Sequence, residues 1–268
     1  MTSARVHDTP ENDVAAVGPA EGRGGPFEIL YADPAWEHDD RASDGQRGAS
    51  FKYQTMSLDD ICALDVQRHM APESALFLWA VSPMLPEAFK VMEAWGYTYS
   101  TVAFCWAKTR GPRTDEVRKI VRARLPGLRA RADGITDDLL AAGLVPRKWH
   151  IGMGQTTRCN VEMCLLGLRG RLGRVDAGVR QLVTAPLGAH SAKPPEIRDM
   201  IVRLLGDRPR LEMFARERTP GWSIWGNQAP GGSDVEILPR EPGALAVVPP
   251  APAVDPRQIT IFDLGGVG

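Results

Sequence analysis

The chain has 268 residues, 43% apolar and 24% charged, which is ordinary globular usage and suits one α/β domain with tails or two small domains. Its net charge of −1 rules out an overall nucleic-acid footprint, so any basic surface must be local. The cysteines at 62, 105, 159 and 164 form no CxxC pair and have no histidine at zinc-finger spacing, so no metal centre is expected.

Residues 1–26 are rich in Gly, Pro, Ala and acids and are expected to be a disordered tail. Phe27–Ala32 (FEILYA) predicts a short buried strand that ends at Asp33-Pro34-Ala35-Trp36. Ser57–Asp65 opens with a Ser N-cap and acids in its first turn, which predicts a helix. Ala75–Val81 is a continuous apolar strand, and Leu85–Trp95 has helical spacing that stops at Gly96. Tyr99–Lys108 and Val161–Leu168 again predict buried strands, in which Cys105 and Cys164 are buried thiols. Pro194–Leu205 reads as a helix with Pro at its start, apolar Ile197, Ile201 and Leu204, and a closing Gly206. Arg210–Ala215 and Trp222–Trp225 complete the strands. Strands alternating with helices predict a mostly parallel sheet covered on both faces, within a domain spanning 27–228. Residues 229–268 read as a flexible Pro/Gly-rich tail.

Residues 111–146 interrupt this rhythm as an insertion between two strands. From Lys108 to Arg131 there are nine basic residues and two acids, Asp115 and Glu116, a local balance of +7. Lys and Arg here, Arg118 and Arg122 among them, could neutralise a phosphate backbone. Val117, Ile120, Val121 and Leu125 could equally form the apolar stripe of an amphipathic helix. Replacing Arg118, Arg122 and Arg129 with Gln is therefore expected to weaken nucleic-acid binding and flatten its salt dependence.

The tetrapeptide places an acid directly after a buried strand, at the carboxyl end where α/β sheets bind ligands. Pro34 fixes the backbone and aims its carbonyl, and Trp36 adds a flat amphipathic ring. Alone, D-P-x-W is a weak signal, because Asp-Pro is a common turn starter. Its companions make it specific. Residues 31–36 (YADPAW), 53–56 (YQTM), 76–79 (LFLW), 158–167 (RCNVEMCLLG), 190–194 (HSAKP), 211–216 (LEMFAR) and 225–228 (WGNQ) together resemble the MT-A70 family of adenine-N6 methyltransferases. The resemblance spans the folded part and is weakest across 111–146.

The resemblance implies a Rossmann-like methyltransferase fold in circularly permuted order, with the catalytic motif before the cofactor-binding motif. It implies S-adenosylmethionine as cofactor and adenine in nucleic acid as substrate, DNA rather than RNA by analogy with compact bacterial and phage relatives. The exocyclic amine of adenine is a poor nucleophile, because its lone pair is delocalised into the ring. Asp33 and the Pro34 carbonyl would accept its two N–H groups and Trp36 would stack on the base, which must be unpaired to enter. Tyr53 and Glu162 match positions on the substrate side. Lys193 matches the lysine that meets the cofactor's carboxylate, a task suited to a compact charge. Asp33, Glu212, Phe214, Arg216, Asn227 and Gln228 complete the implied cofactor site. Each has a plainer reading as a turn, strand or surface residue.

Ala35 departs from the family pattern, which has a second proline there. It keeps the Pro34 carbonyl and both side chains but frees one φ, so a catalytically silent nucleic-acid-binding subunit is the alternative. No GxGxxG or Walker sequence supports another Rossmann enzyme. Gln258–Phe262 (QITIF) resembles the peptide by which bacterial replication and repair proteins dock to the sliding clamp, with an apolar tail as the plainer reading. No apolar stretch reaches 18 residues and no signal-type segment opens the chain, so a soluble cytoplasmic protein is expected.

Overall fold

The structure is a computed structural model that describes residues 26–37, 55–145, 147–152, 156–188 and 192–241. Its scaffold is one eight-stranded sheet with helices on both faces. The strands are β1 (Phe27–Ala32), β2 (Met70–Ala80), β3 (Thr98–Pro112), β4 (Arg147–Trp149), β5 (Val161–Arg169), β6 (Leu182–Pro186), β7 (Arg210–Met213) and β8 (Ser223–Trp225). Their order is β4-β3-β5-β2-β1-β7-β8, with β6 paired to β3. The β1 pairs with β2 and β7 are parallel, as are β7/β8 and β3/β6. β5 runs antiparallel between β2 and β3, and β4 is antiparallel to β3. The sheet is mixed, and its core is the parallel group around β1.

Side-chain alternation splits the sheet into two cores. Leu30, Ala32, Leu76 and Leu78 face one side. There α1 (Leu58–Ala63) contributes Ile61, and α2 (Leu85–Ala94) contributes Ala88, Val91 and Met92. Ile29, Tyr31, Phe77, Trp79, Phe104 and Trp106 face the other. On that side lies α5 (Glu196–Leu205), with Ile197, Ile201 and Leu205 buried at intervals of four. Gly206, at φ +86°, closes α5 and donates its N–H to Val202 at 2.7 Å, a left-handed cap that favours glycine. The central strands are apolar on both faces because both are covered. Ser57 caps α1 by accepting from the Asp60 N–H at 3.1 Å.

Three sequence expectations need correction. First, β6 is an additional strand with no continuous apolar run to mark it in the sequence. Its buried residues, Val183 and Ala185, alternate with exposed ones. Second, the folded part does not end at Gln228. Ile237 is 4% exposed within the first core, and Asp65 donates its N–H to the Leu238 carbonyl at 2.9 Å. Arg240 donates its N–H to Ala63 at 2.8 Å. Residues 229–241 are therefore a strap against α1 rather than the start of a loose tail.

Third, the expected insertion contains a helical hairpin, α3 (Thr114–Arg124) and α4 (Ala132–Ala141), in which the basic side chains are partly neutralised. Arg118 pairs with Asp115 at 3.1 Å and with Asp133 at 2.5 Å, and Arg122 pairs with Asp133 at 3.1 Å. These two arginines tie α3 to α4 through Asp133. Asp133, just beyond the basic stretch, offsets part of its +7 balance. Within the expected stripe, Val121 is buried while Ile120 and Leu125 are exposed. Tyr53, Gln258–Phe262 and the N-terminal tail lie outside the described residues.

Candidate active site

Asp33 follows the last residue of β1, at the carboxyl end of the parallel strands. The loop it opens is fastened at each residue. The Trp36 N–H donates to the Pro34 carbonyl at 2.9 Å, which leaves that carbonyl one lone pair. The Met56 N–H donates to the Ala35 carbonyl at 3.1 Å, so the φ freed at Ala35 is restrained by a backbone bond. Trp36 differs from the expected stacking face. It is 6% exposed, packs into the first core and donates its indole N–H to the Trp79 carbonyl at 3.2 Å. A ring buried this far holds the loop rather than offering a platform.

Charges alternate across the site. Lys193, in the loop before α5, donates to Asp33 at 2.6 Å and lies 3.4 Å from Glu162 Oε2. Glu162, at the start of antiparallel β5, accepts from Lys108 near the end of β3. Lys193 also lies over the Trp79 ring at 5.4 Å, and Lys108 over Trp106 at 5.1 Å. The side chains of Lys193 and Glu162 are each 10% exposed. Burial alone would raise the Glu162 carboxyl, but Lys193 and Lys108 hold it below the usual carboxylate range. Burial likewise opposes the charge of Lys193, but Asp33 and Glu162 outweigh it and raise its affinity for the proton.

A second buried pair lies beside the first. Arg198 of α5 donates twice to Glu212 of β7, both at 2.7 Å, and reaches Glu217 at 2.9 Å. Its guanidinium lies 5.7 Å from the Tyr31 ring centre. Burial works against this cation, but Glu212 and Glu217 keep it well above its ordinary range. The Tyr31 hydroxyl accepts from Trp79 Nε1 at 2.8 Å, linking the two pairs through the core. Phe214 follows β7 at φ +62°, the one non-glycine with positive φ among the described residues. It packs edge-on against Trp225 at 5.4 Å. Gly226 allows this turn, because a Cβ there would stand 3.1 Å from the Phe214 backbone. Strain of this kind concentrates at ligand sites.

Asp33, Lys193, Arg198, Glu212, Phe214 and Arg216 line a cleft of about 220 Å³. Arg216 lies 3.7 Å from Asp33 Oδ2. Asn227 and Gln228 are exposed on the turn after β8. The expected residues Asp33, Glu162, Lys193, Glu212, Phe214 and Arg216 thus converge, while Arg118 and Arg122 belong to the hairpin. Sequence reasoning missed Arg198, Tyr31 and Lys108 as members. A signal existed for the first: an arginine beside the apolar stripe of α5 and a lone acid in the strand LEMF are complementary.

The residues suit the implied cofactor. Lys193 is a buried cation for a carboxylate, Glu212 is a held acceptor for hydroxyls, and the Phe214 ring adds an apolar wall. The fold, with this cluster at the carboxyl ends of its strands, is that of a Rossmann-like methyltransferase. The MT-A70 family model matches residues 27–122 and 146–228, and the chain belongs to that family. The unmatched segment, 123–145, covers the end of α3 and all of α4. The chain is 26% identical over 223 residues to the Type II methyltransferase M.MunI of a Mycoplasma species, covering 76% of this chain and 78% of that protein. It is 26% identical to an N(6)-adenosine-methyltransferase MT-A70-like protein of Drosophila melanogaster and 24% identical to the human N(6)-adenosine-methyltransferase catalytic subunit METTL3. Each of these alignments covers 77% of this chain, but only 28% and 29% of those longer proteins. No helix among the described residues is long and apolar enough to cross a membrane.

Proposed function

We propose that the protein transfers the methyl group of S-adenosylmethionine to the N6 amino group of adenine in DNA. The observation that carries this reading is the pairing of Asp33 with Lys193 at 2.6 Å, beside a Pro34 carbonyl with one lone pair remaining. These groups supply two acceptors for an amine and one cation for a carboxylate within a single cluster. When bound, S-adenosylmethionine supplies a methyl already activated on a sulfonium, and the chain's task is positioning.

In this reading Asp33 and the Pro34 carbonyl accept the two amino N–H groups and hold the nitrogen lone pair toward the methyl. Lys193 turns from Asp33 to the cofactor's carboxylate, which frees Asp33 for the base. Glu212, fixed by Arg198, and Arg216, Asn227 and Gln228 address the ribose, with Phe214 beside them. Glu162, whose Oε2 makes no hydrogen bond among the described residues and lies 3.4 Å from Lys193, is assigned to the substrate side. Tyr53 is assigned to the same side, and Trp36 braces the loop. DNA is favoured over RNA by the length match to the Type II methyltransferase. Four free cysteines suit a reducing cytoplasm. The peptide Gln258–Phe262 would tether the enzyme to a sliding clamp. Loss of clamp pull-down on deleting 258–262 supports that tether, and its survival removes it.

The reading is tested by incubating wild type and Asp33→Ala with labelled S-adenosylmethionine and single- or double-stranded DNA. Label on adenine N6 with wild type alone supports the enzyme. Cofactor binding without transfer by wild type would instead identify a silent subunit.

A further inference from the structure

Resting on the nucleic-acid reading above, we propose that Arg110 and His150 form a binding site for a phosphodiester of the substrate strand, next to the target base. β3 carries Trp106 and Lys108 two apart on one face, and Arg110, within the irregularity between Thr109 and Pro112, is placed by its contact with His150. Trp106 opposes Glu162 across the β3/β5 ladder, which makes this the active-site face. β4 runs alongside, and the His150 N–H donates to the Lys108 carbonyl at 2.9 Å. Because Trp149 opposes Thr109, His150 opposes Lys108 and shares its face.

Arg110 Nε donates to His150 Nδ1 at 3.4 Å, and Arg110 pairs with no carboxylate among the described residues. An arginine whose partner is another base has four N–H groups left for an acceptor. His150 accepts at Nδ1, so its neutral form carries the proton on Nε2. The charged groups facing it are Arg110 and Lys108, and Lys148 beside it in β4 is drawn to Glu116 of α3 at 3.6 Å. Burial together with Arg110 and Lys108 pushes the imidazole below its ordinary range. Among the described residues, the acid paired with Lys108 in this group, Glu162, is already shared with Lys193. Three bases with one shared acid form a site for an oxyanion. Arg118 and Arg122, by contrast, are neutralised by carboxylates within the hairpin.

Position gives the site its meaning. Asp33, Lys193, Glu162 and Lys108 form a continuous chain of ion pairs, and Arg110 with His150 extends it outward along β3. A strand that delivers adenine to Asp33 would lay a neighbouring phosphate there. A bound phosphate stabilises the charged imidazole, so binding takes up a proton and affinity rises as pH falls from 8 to 6.

The test is fluorescence anisotropy of one labelled oligonucleotide sequence, as DNA and as RNA, with wild type, Arg110→Gln and His150→Gln over a range of salt and pH. Arg110→Gln is expected to weaken binding about tenfold and to reduce the salt slope by about one. His150→Gln is expected to abolish the gain in affinity at low pH. Melting temperatures equal to wild type show that neither change acts through folding. Variants that bind as wild type does, with unchanged slope and pH profile, overturn this site alone. If wild type binds RNA and not DNA, with the same dependence on Arg110 and His150, the site stands and the DNA reading falls. Binding of neither polymer overturns both.

Discussion

Asp33 and Lys193 could be expected from the sequence because each sits in a short motif with a chemical reason for its residue type. Their direct contact could not, since 160 positions separate them and only the fold brings them to 2.6 Å. Lys108 was visible only as one of nine basic residues, and its commitment to Glu162 distinguishes it from the rest. That pairing has a measurable consequence. The folded-state affinity of Glu162 for a proton is lowered, so its stabilising contribution is complete above the ordinary carboxylate range and is lost as pH falls through the folded value. Glu162→Gln should cost about 3–5 kcal/mol at neutral pH, by breaking a buried pair. The gap in melting temperature from wild type should be constant above the ordinary carboxylate range and narrow as pH falls below it. A gap that persists at low pH would mean that Glu162 acts by packing rather than charge. For Arg198, replacement with Lys keeps a cation but loses the fork that holds both Glu212 oxygens. Calorimetric titration with S-adenosylmethionine should show about tenfold weaker binding, the loss expected for one charged hydrogen bond. Unchanged affinity would remove Arg198 from the cofactor site.

Elements were readable where one period dominated. β1 falls on Phe27–Ala32 as its apolar run predicts, and α5 ends at Gly206 as its cap residue predicts. β6 was missed because only Val183 and Ala185 of its five residues are buried. The direction of β5 was not readable either, because periodicity does not reveal strand polarity. Its antiparallel course places Glu162, its second residue, at the same end of the sheet as Asp33, where both reach Lys193. The α3/α4 hairpin was legible as an insertion but not as a self-paired unit. Asp133 holds both Arg118 and Arg122, and these exposed pairs are worth roughly 1 kcal/mol or less in total. Asp133→Asn should therefore speed amide exchange across residues 114–141 while methyl transfer stays within about twofold of wild type. A collapse of transfer would show that the hairpin positions substrate through that acid.

At the scale of the whole molecule, one sheet organises two cores and one catalytic edge. The boundary at Gln228 misled because Pro and Gly in 229–241 suggest a linker, while Val235 and Ile237 are apolar anchors two positions apart. Ile237 is 4% exposed, so Ile237→Ala should cost about 2–5 kcal/mol and lower the melting temperature by roughly 5–15 °C. A shift below about 2 °C would show that the strap contributes little to the fold. The ion-pair chain of Asp33, Lys193, Glu162 and Lys108 centres the proposed site on the end of β1. The most direct measurement of that claim is methyl transfer from S-adenosylmethionine to an adenine-containing oligodeoxynucleotide, comparing wild type with Asp33→Asn and reading N6-methyladenine by mass. The account predicts N6-methyladenine from wild type and a loss of about a hundredfold or more with Asp33→Asn, which keeps the side chain's shape but removes the charged acceptor. Comparable product from both proteins, or product at a position other than N6, would contradict it.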